Sequence, residues 1–317
     1  MIFTLWFFIA IGIIIVLFFV ISYICYRLTF AYSKALDITP HTLPNGEQYK
    51  PLHTQMTELI DSALQIPYEE VYIKSFDGLK LFGRYYETAK NAPLQILFHG
   101  YRSNAIRDFC GGLQFDLQSG FNILLVDQRA HGKSEGKALS FGVLERYDCL
   151  AWTKYASERF CEDTPIILKG LSMGAATVMM ASDLEHPKNV VGIVADCGYT
   201  SPKEIIQKVI KGLKYPLRPT YFFVRMGGII YGGFDIEKST ALESLAKTDI
   251  PVLFIHGEDD RFVPCEMSRK NHAACHSQKQ IVTVKAAAHG ISYLIDQNTY
   301  RTAVTDFVSK VIHNKQS

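Results

Sequence analysis

Gly170-Leu171-Ser172-Met173-Gly174 constrains this chain more than any other stretch, because of what flanks it. The apolar run Pro165–Lys169 precedes it, and a helical pattern over Ala175–Glu185 follows. A serine between two such elements sits on a sharp strand-to-helix turn with strained backbone angles. Neighbours crowd that turn too closely for side chains, so glycine stands on either side. The turn lifts the hydroxyl out of the sheet and aims a helix N-terminus at it. The same five residues in a plain loop would say little; in this setting they predict a presented nucleophile.

The surrounding pattern agrees. Short apolar runs at Leu94–Phe98, Asn122–Val126, Ile166–Leu168, Val190–Ala195, Pro251–Ile255 and Ile281–Val284 alternate with longer helical stretches. Runs rich in Ile, Leu and Val with little polar content predict strands covered by helices on both faces. Before them, Glu70–Phe76 and Leu79–Glu87 flank Asp77-Gly78, a pair that tolerates the positive φ of a hairpin turn. The expectation is an α/β fold with a mostly parallel sheet. The stretch between Asp196 and Ile250 is too long for a plain crossover and holds Tyr199, Tyr215, Tyr221, Phe222 and Phe223 beside paired glycines. It predicts a small helical cap over about 199–248, above the carboxyl ends of the strands.

A serine hydroxyl needs a base, and the base needs a group that orients it. Strand Pro251–Ile255 leads into His256-Gly257-Glu258-Asp259-Asp260-Arg261-Phe262-Val263-Pro264, and the next strand leads into Ala286-Ala287-Ala288-His289-Gly290. Both loops fall on the sheet edge that carries Ser172. His289 is the candidate base. Asp260 is the candidate orienter, with Glu258 and Asp259 as neighbouring competitors and Asp196 as a remote one. A tetrahedral oxyanion also needs backbone donors. Met173 N–H, just after the serine, is one; Tyr101 N–H, in the loop His99-Gly100-Tyr101-Arg102-Ser103-Asn104, is the other candidate.

Together with Asp127-Gln128-Arg129-Ala130-His131-Gly132-Lys133-Ser134 and Asp196-Cys197-Gly198-Tyr199-Thr200-Ser201, these stretches resemble the serine hydrolases of the α/β-hydrolase superfamily. The likeness covers about Tyr68 to Ile312 and is greatest to bacterial membrane-anchored hydrolases related to serine aminopeptidases and dienelactone hydrolases. It implies the α/β-hydrolase fold and cleavage of an ester, thioester or amide through an acyl-enzyme. It implies that the acid is the aspartate four residues before the proline, which favours Asp260 over Asp259. It also implies that Asp127 and Arg129 brace the sheet near the oxyanion loop. Dehalogenases and epoxide hydrolases carry aspartate at the elbow, so Ser172 sets this chain apart from them. A carboxylesterase acting on a small-molecule acyl substrate is the leading expectation. A serine aminopeptidase-like peptidase is the alternative, and a non-catalytic binding protein on the same fold is the remoter one.

Charge is unevenly placed. Residues 1–26 contain no Asp, Glu, Lys or Arg, and Ile2 to Ile24 is almost wholly apolar. A helix of that length spans ~35 Å, against ~30 Å for a bilayer core. There is no basic n-region and no A-x-A-like cleavage site, so the expectation is a single-pass anchor over 1–26 and not a cleaved signal. A stalk over 27–66 with a short helix at His53–Leu64 would then lead into a hydrolase domain over 67–317. Arg27 and Lys34 follow the span and nothing basic precedes it, which places the catalytic domain on the cytoplasmic side. Seven cysteines, odd in number and irregularly spaced, suggest no disulfide framework.

Other functions find less support. Lys plus Arg total 33 and Asp plus Glu 31, so no basic excess argues for nucleic acid. No glycine-rich phosphate loop or dinucleotide fingerprint occurs, and no cofactor is expected. Cys265, His272, Cys275 and His276 offer metal-binding residue types, but their spacing is not that of a usual ligand set, and no metal is expected there.

Overall fold

In a computed structural model describing residues 2–32 and 38–316, the apolar runs become one eight-stranded sheet. Its strands are β1 (Glu69–Lys74), β2 (Lys80–Tyr86), β3 (Leu94–Phe98), β4 (Asn122–Val126), β5 (Ile166–Leu171), β6 (Val190–Asp196), β7 (Val252–Gly257) and β8 (Lys279–Val284), in the order β1-β2-β4-β3-β5-β6-β7-β8. β2 pairs antiparallel with β1 and β4; every other pairing is parallel. The Asp77-Gly78 turn joins β1 to β2 with Gly78 at φ +90 and Ser75 N–H donating to Leu79 O at 2.8 Å.

The helices are α1 (Ile2–Thr29), α2 (His53–Leu64), α3 (Ala105–Gln118), α4 (Glu145–Phe160), α5 (Met173–Ala181), α6 (Pro202–Gly212), α7 (Leu217–Gly227), α8 (Ala241–Leu245), α9 (Cys265–Ala274), α10 (Ser292–Ile295) and α11 (Gln297–Gln316). They cover both faces, which explains the unbroken apolar strand runs. Leu94, Ile96 and Phe98 of β3 share a core with Trp152 of α4 and with α5, while Leu97 faces Phe109 and Leu113 of α3. Ile167, Val194 and Ile255 pack under Val304 and Phe307 of α11. The parallel arrangement brings the carboxyl ends of β3, β5, β7 and β8 to one edge, where the loops of interest lie.

The insertion after β6 forms α6, α7, a π-helical turn at Gly228–Gly232 and α8. These helices occupy the interval expected as a cap. The described residues of the segment expected as a stalk, 27–32 and 38–66, lie against the body. Phe30 and Ile60 are fully buried, Ala31 bridges to Ala138, and α2 packs on α3. Lys34 falls outside the described residues. α1 is 28 residues long and apolar enough to cross a membrane by length and composition, and from Phe18 onward it packs on the body, with Ser22 and Tyr26 buried.

Candidate active site

Ser172 sits between β5 and α5 with φ 56 and ψ −112, a region that L-residues seldom adopt. Its N–H donates to Asp196 O at 2.8 Å, tying the elbow to the end of β6. The flanking glycine is required by space: a Cβ on Gly174 would lie 1.8 Å from Phe98 O. The elbow therefore presses directly on the end of β3, where the oxyanion loop begins.

The loops after β7 and β8 bring Asp260 and His289 to the serine. His289 Nε2 lies 2.8 Å from Ser172 Oγ, and its Nδ1 lies 2.6 Å from Asp260 Oδ2. These partners assign the tautomer: Nδ1–H donates to the carboxylate, and Nε2 is left to accept the serine proton. Asp260 Oδ1 accepts Phe262 N–H and Val263 N–H, each at 2.8 Å. Burial alone would raise the Asp260 pKa, but hydrogen bonds from His256 and His289 and their positive fields hold it well below the usual carboxylate range.

The competing acids share no hydrogen bond with His289, although Asp196 lines the same cavity. Glu258 and Asp259 are exposed, and Glu258 accepts from Thr283 Oγ1. Asp196 is buried, which pushes its pKa up to about 6 against the opposing influence of His256 and Tyr300.

The oxyanion loop is braced by a carboxylate and two buried imidazoles. Asp108 of α3 accepts Gly100 N–H at 2.8 Å and also holds the Ser103 hydroxyl. His99 donates from Nδ1 to Gly100 O at 2.8 Å and accepts Gln128 N–H at Nε2, 3.0 Å away. His131 donates from Nδ1 to Arg129 O at 2.9 Å and accepts Arg102 N–H at Nε2, 3.1 Å away. Burial lowers the pKa of both imidazoles, that of His131 to about 3, so each keeps one ring nitrogen as an acceptor. Tyr101 and Ser172 line the same cavities, and Met173 N–H follows directly on the serine. Among the described residues, neither the Tyr101 nor the Met173 amide is paired with a backbone carbonyl in the loops and turns.

Arg129 and Asp127 lie away from the serine and tie loops together. Arg129 pairs with buried Asp148 at 2.6 Å and with Asp77 at 2.9 Å, and Asp127 pairs with Arg84 at 3.1 Å. Three contributors escaped the sequence reading. His256 Nε2 lies 3.2 Å from Asp260 Oδ2 and 2.9 Å from Val263 O, with Nδ1 set by Ser268. Its place at the end of a strand, four residues before the acid, was the available signal. Asp108 lies one helical turn past an Asn104 cap and could have been suspected. Tyr49, whose O–H donates to His289 O at 3.1 Å, comes from the expected stalk and carried no signal.

Cys197, Asp260 and His289 hold potential metal ligands within 4.8 Å of one another. The carboxylate and imidazole are already bonded to each other. Burial and the nearby Asp196 and Asp260 charges push the Cys197 thiol pKa well above its ordinary value, opposing the thiolate that a metal would need. At the other cysteine-histidine stretch, Cys275 is buried with its sulfur 3.3 Å from Ser277 Oγ, while His276 faces solvent near Asp249.

The family described as serine aminopeptidase, S33, matches residues 91–221, and the serine hydrolase (FSH1) family matches residues 168–291. YqkD of Bacillus subtilis is 25% identical over 260 residues, covering 80% of this chain and 83% of that protein. Protein bem46 of Schizosaccharomyces pombe is 25% identical over 233 residues, covering 71% and 70%. Among solved structures, an esterase of Pyrococcus furiosus, Pf2001, superposes with a TM-score of 0.63 at 24% identity, covering 79% of this chain and 94% of that one.

Proposed function

Because this chain is a serine hydrolase of the α/β-hydrolase superfamily, we propose that Ser172 is its nucleophile, His289 its general base and acid, and Asp260 the group that orients His289. The carrying observation is the 2.8 Å approach of His289 Nε2 to Ser172 Oγ, continued at 2.6 Å to Asp260. The serine oxygen bonds to the substrate carbonyl carbon while its proton passes to Nε2. The amides of Tyr101 and Met173 receive the oxyanion, and the proton returns to the leaving group as it departs. Water then cleaves the acyl-enzyme by the same steps, freeing the acid and regenerating the serine.

An ester is favoured over a peptide with a free amino terminus. The cavity beside Ser172 is lined by Arg107, Lys169, Asp108 and Asp196. Lys169 is paired with Asp116, Asp108 already accepts Gly100 N–H and the Ser103 hydroxyl, and Asp196 is buried with its pKa raised. No exposed carboxylate of this lining therefore offers an incoming ammonium a counter-ion. A panel of p-nitrophenyl esters set beside aminoacyl anilides tests this. Faster turnover of the anilides would reverse the assignment.

α1 serves as a single-pass membrane anchor in this proposal, with the catalytic body on the cytoplasmic side as the basic Arg27 and Lys34 suggest. The exposed free thiol of Cys161 provides the test. In intact cells a membrane-impermeant maleimide should leave it unlabelled, and labelling there would place the body outside.

A further inference from the structure

Two cavities meet at Ser172. One, of about 190 Å³, runs along the oxyanion loop past Ser103, Arg107 and Lys169. The other, of about 290 Å³, is apolar and lies under the cap, walled by Tyr199, Ile206 and Val209 on one side and by Cys25, Leu28 and Thr29 of α1 on another. The apolar helix thus closes a cavity that opens on the candidate nucleophile.

Its position there is fixed by specific bonds. Four carbonyls at the end of any helix lack an internal partner. At the end of α1 the oxyanion loop supplies donors: Tyr101 O–H reaches Thr29 O at 2.9 Å, and Arg102 Nη2 reaches Leu28 O at 3.0 Å and Ala31 O at 3.2 Å. A guanidinium at a helix C-terminus also suits the helix dipole. Higher on α1, Gly227 of α7 allows a close crossing, since a Cβ there would lie 2.6 Å from Ser22 O. Phe222, Ile229, Ile230 and Tyr231 of the cap stay at least one-third exposed beside this crossing, and Tyr231 O–H donates to Phe19 O at 3.0 Å. Such an apolar, tyrosine-bearing rim continuous with a membrane-length helix belongs at a bilayer interface.

We propose that α1 is a wall of the acyl-binding cavity, and that the substrate is a bilayer-resident carboxylic ester whose single long acyl chain enters between α1 and the cap while its polar alcohol lies along the Arg107 side. This rests on Ser172 being the nucleophile. The chain reaches the serine without crossing water, and the membrane helix sets which acyl lengths fit.

The test uses the full-length protein in detergent micelles with p-nitrophenyl acetate and p-nitrophenyl decanoate. Cys25→Trp fills the cavity from the helix side. Leu28→Trp, at a more exposed position of the same wall, repeats the test with less demand on the fold. Each methylene denied its apolar contact is worth about fourfold. The decanoate-to-acetate ratio of kcat/KM should therefore fall at least roughly tenfold in the folded variants, as a few excluded methylenes suffice. Ile14→Trp, on the exposed face of α1, should keep the wild-type ratio. An unmoved ratio in whichever wall variant melts like wild type, with fluorophosphonate still labelling Ser172, overturns the cavity assignment alone. Wild type unlabelled at Ser172 overturns the nucleophile reading beneath it.

Discussion

His256 and His289 share one carboxylate oxygen: Nε2 of the first lies 3.2 Å and Nδ1 of the second 2.6 Å from Asp260 Oδ2. His256 is fully buried and also donates toward Val263 O, so it fixes the carboxylate and the loop that carries it. It touches no reacting atom in the proposed mechanism and acts as a positioning residue.

Replacing His256 by Gln should therefore weaken catalysis without abolishing it. Loss of a charge-assisted bond of about 1.5 kcal/mol corresponds to roughly tenfold in kcat. With one donor gone, Asp260 is left more basic toward His289, so the acid limb of the kcat/KM profile should move to higher pH. A pH-rate series beside thermal melts checks this. A loss of activity with an unshifted profile would make His256 purely structural.

The two buried aspartates should separate cleanly. Asp260→Asn removes the acceptor for His289 Nδ1–H and should lower kcat by about 10³- to 10⁴-fold. Asp196→Asn keeps the backbone carbonyl that holds Ser172 N–H and should cost less than roughly tenfold, since no reacting proton passes through it. Ester turnover by the purified variants decides, and the reverse ranking would move the acid to Asp196.

Asp196 also makes a prediction about stability. Its pKa is about 6 in the fold, against about 3.9 in the unfolded chain. With the folded value the higher, the fold holds the proton more tightly, and this contribution is complete below about pH 4. It is lost as pH rises through about 6, up to about 3 kcal/mol. The stability of Asp196→Asn relative to wild type should therefore climb from pH 4 to pH 7 and then level off. Urea midpoints across that range provide the measurement; a flat difference would mean that the carboxyl titrates alike in both states.

Gly174→Ala should destabilise the fold by more than about 3 kcal/mol. The added methyl would meet Phe98 O at 1.8 Å, so either the elbow or β3 must move. Urea unfolding measures the loss, and an alanine variant within about 1 kcal/mol of wild type would contradict the close approach described here.

The legibility of this molecule follows from where its constraints are local. Ser172 announces itself because the elbow requires small neighbours within two residues, and β3 to β7 because strands buried on both faces are largely apolar. His289 and Asp260 were readable because each follows a strand. Tyr49 was not, since its bond to His289 O spans 240 residues and arises only once residues 38–66 pack back on the body. The docking of α1 was hidden for a related reason. A charge-free helix reads as a free anchor, and only the fold shows Tyr101 and Arg102 capping its last carbonyls. His256 looked like a strand-end residue because its partners Asp260, Val263 and Ser268 are brought round by the loop itself.

Labelling by a fluorophosphonate probe, followed by identification of the modified peptide, tests the central claim most directly. The phosphorus bonds to the activated serine oxygen and fluoride leaves, so only a serine with a working base reacts quickly. Wild type should be modified at Ser172. Ser172→Ala should not react, and His289→Ala should react slower by about 10³-fold or more. Equal labelling of wild type and Ser172→Ala, or a modified peptide that lacks Ser172, would contradict the account.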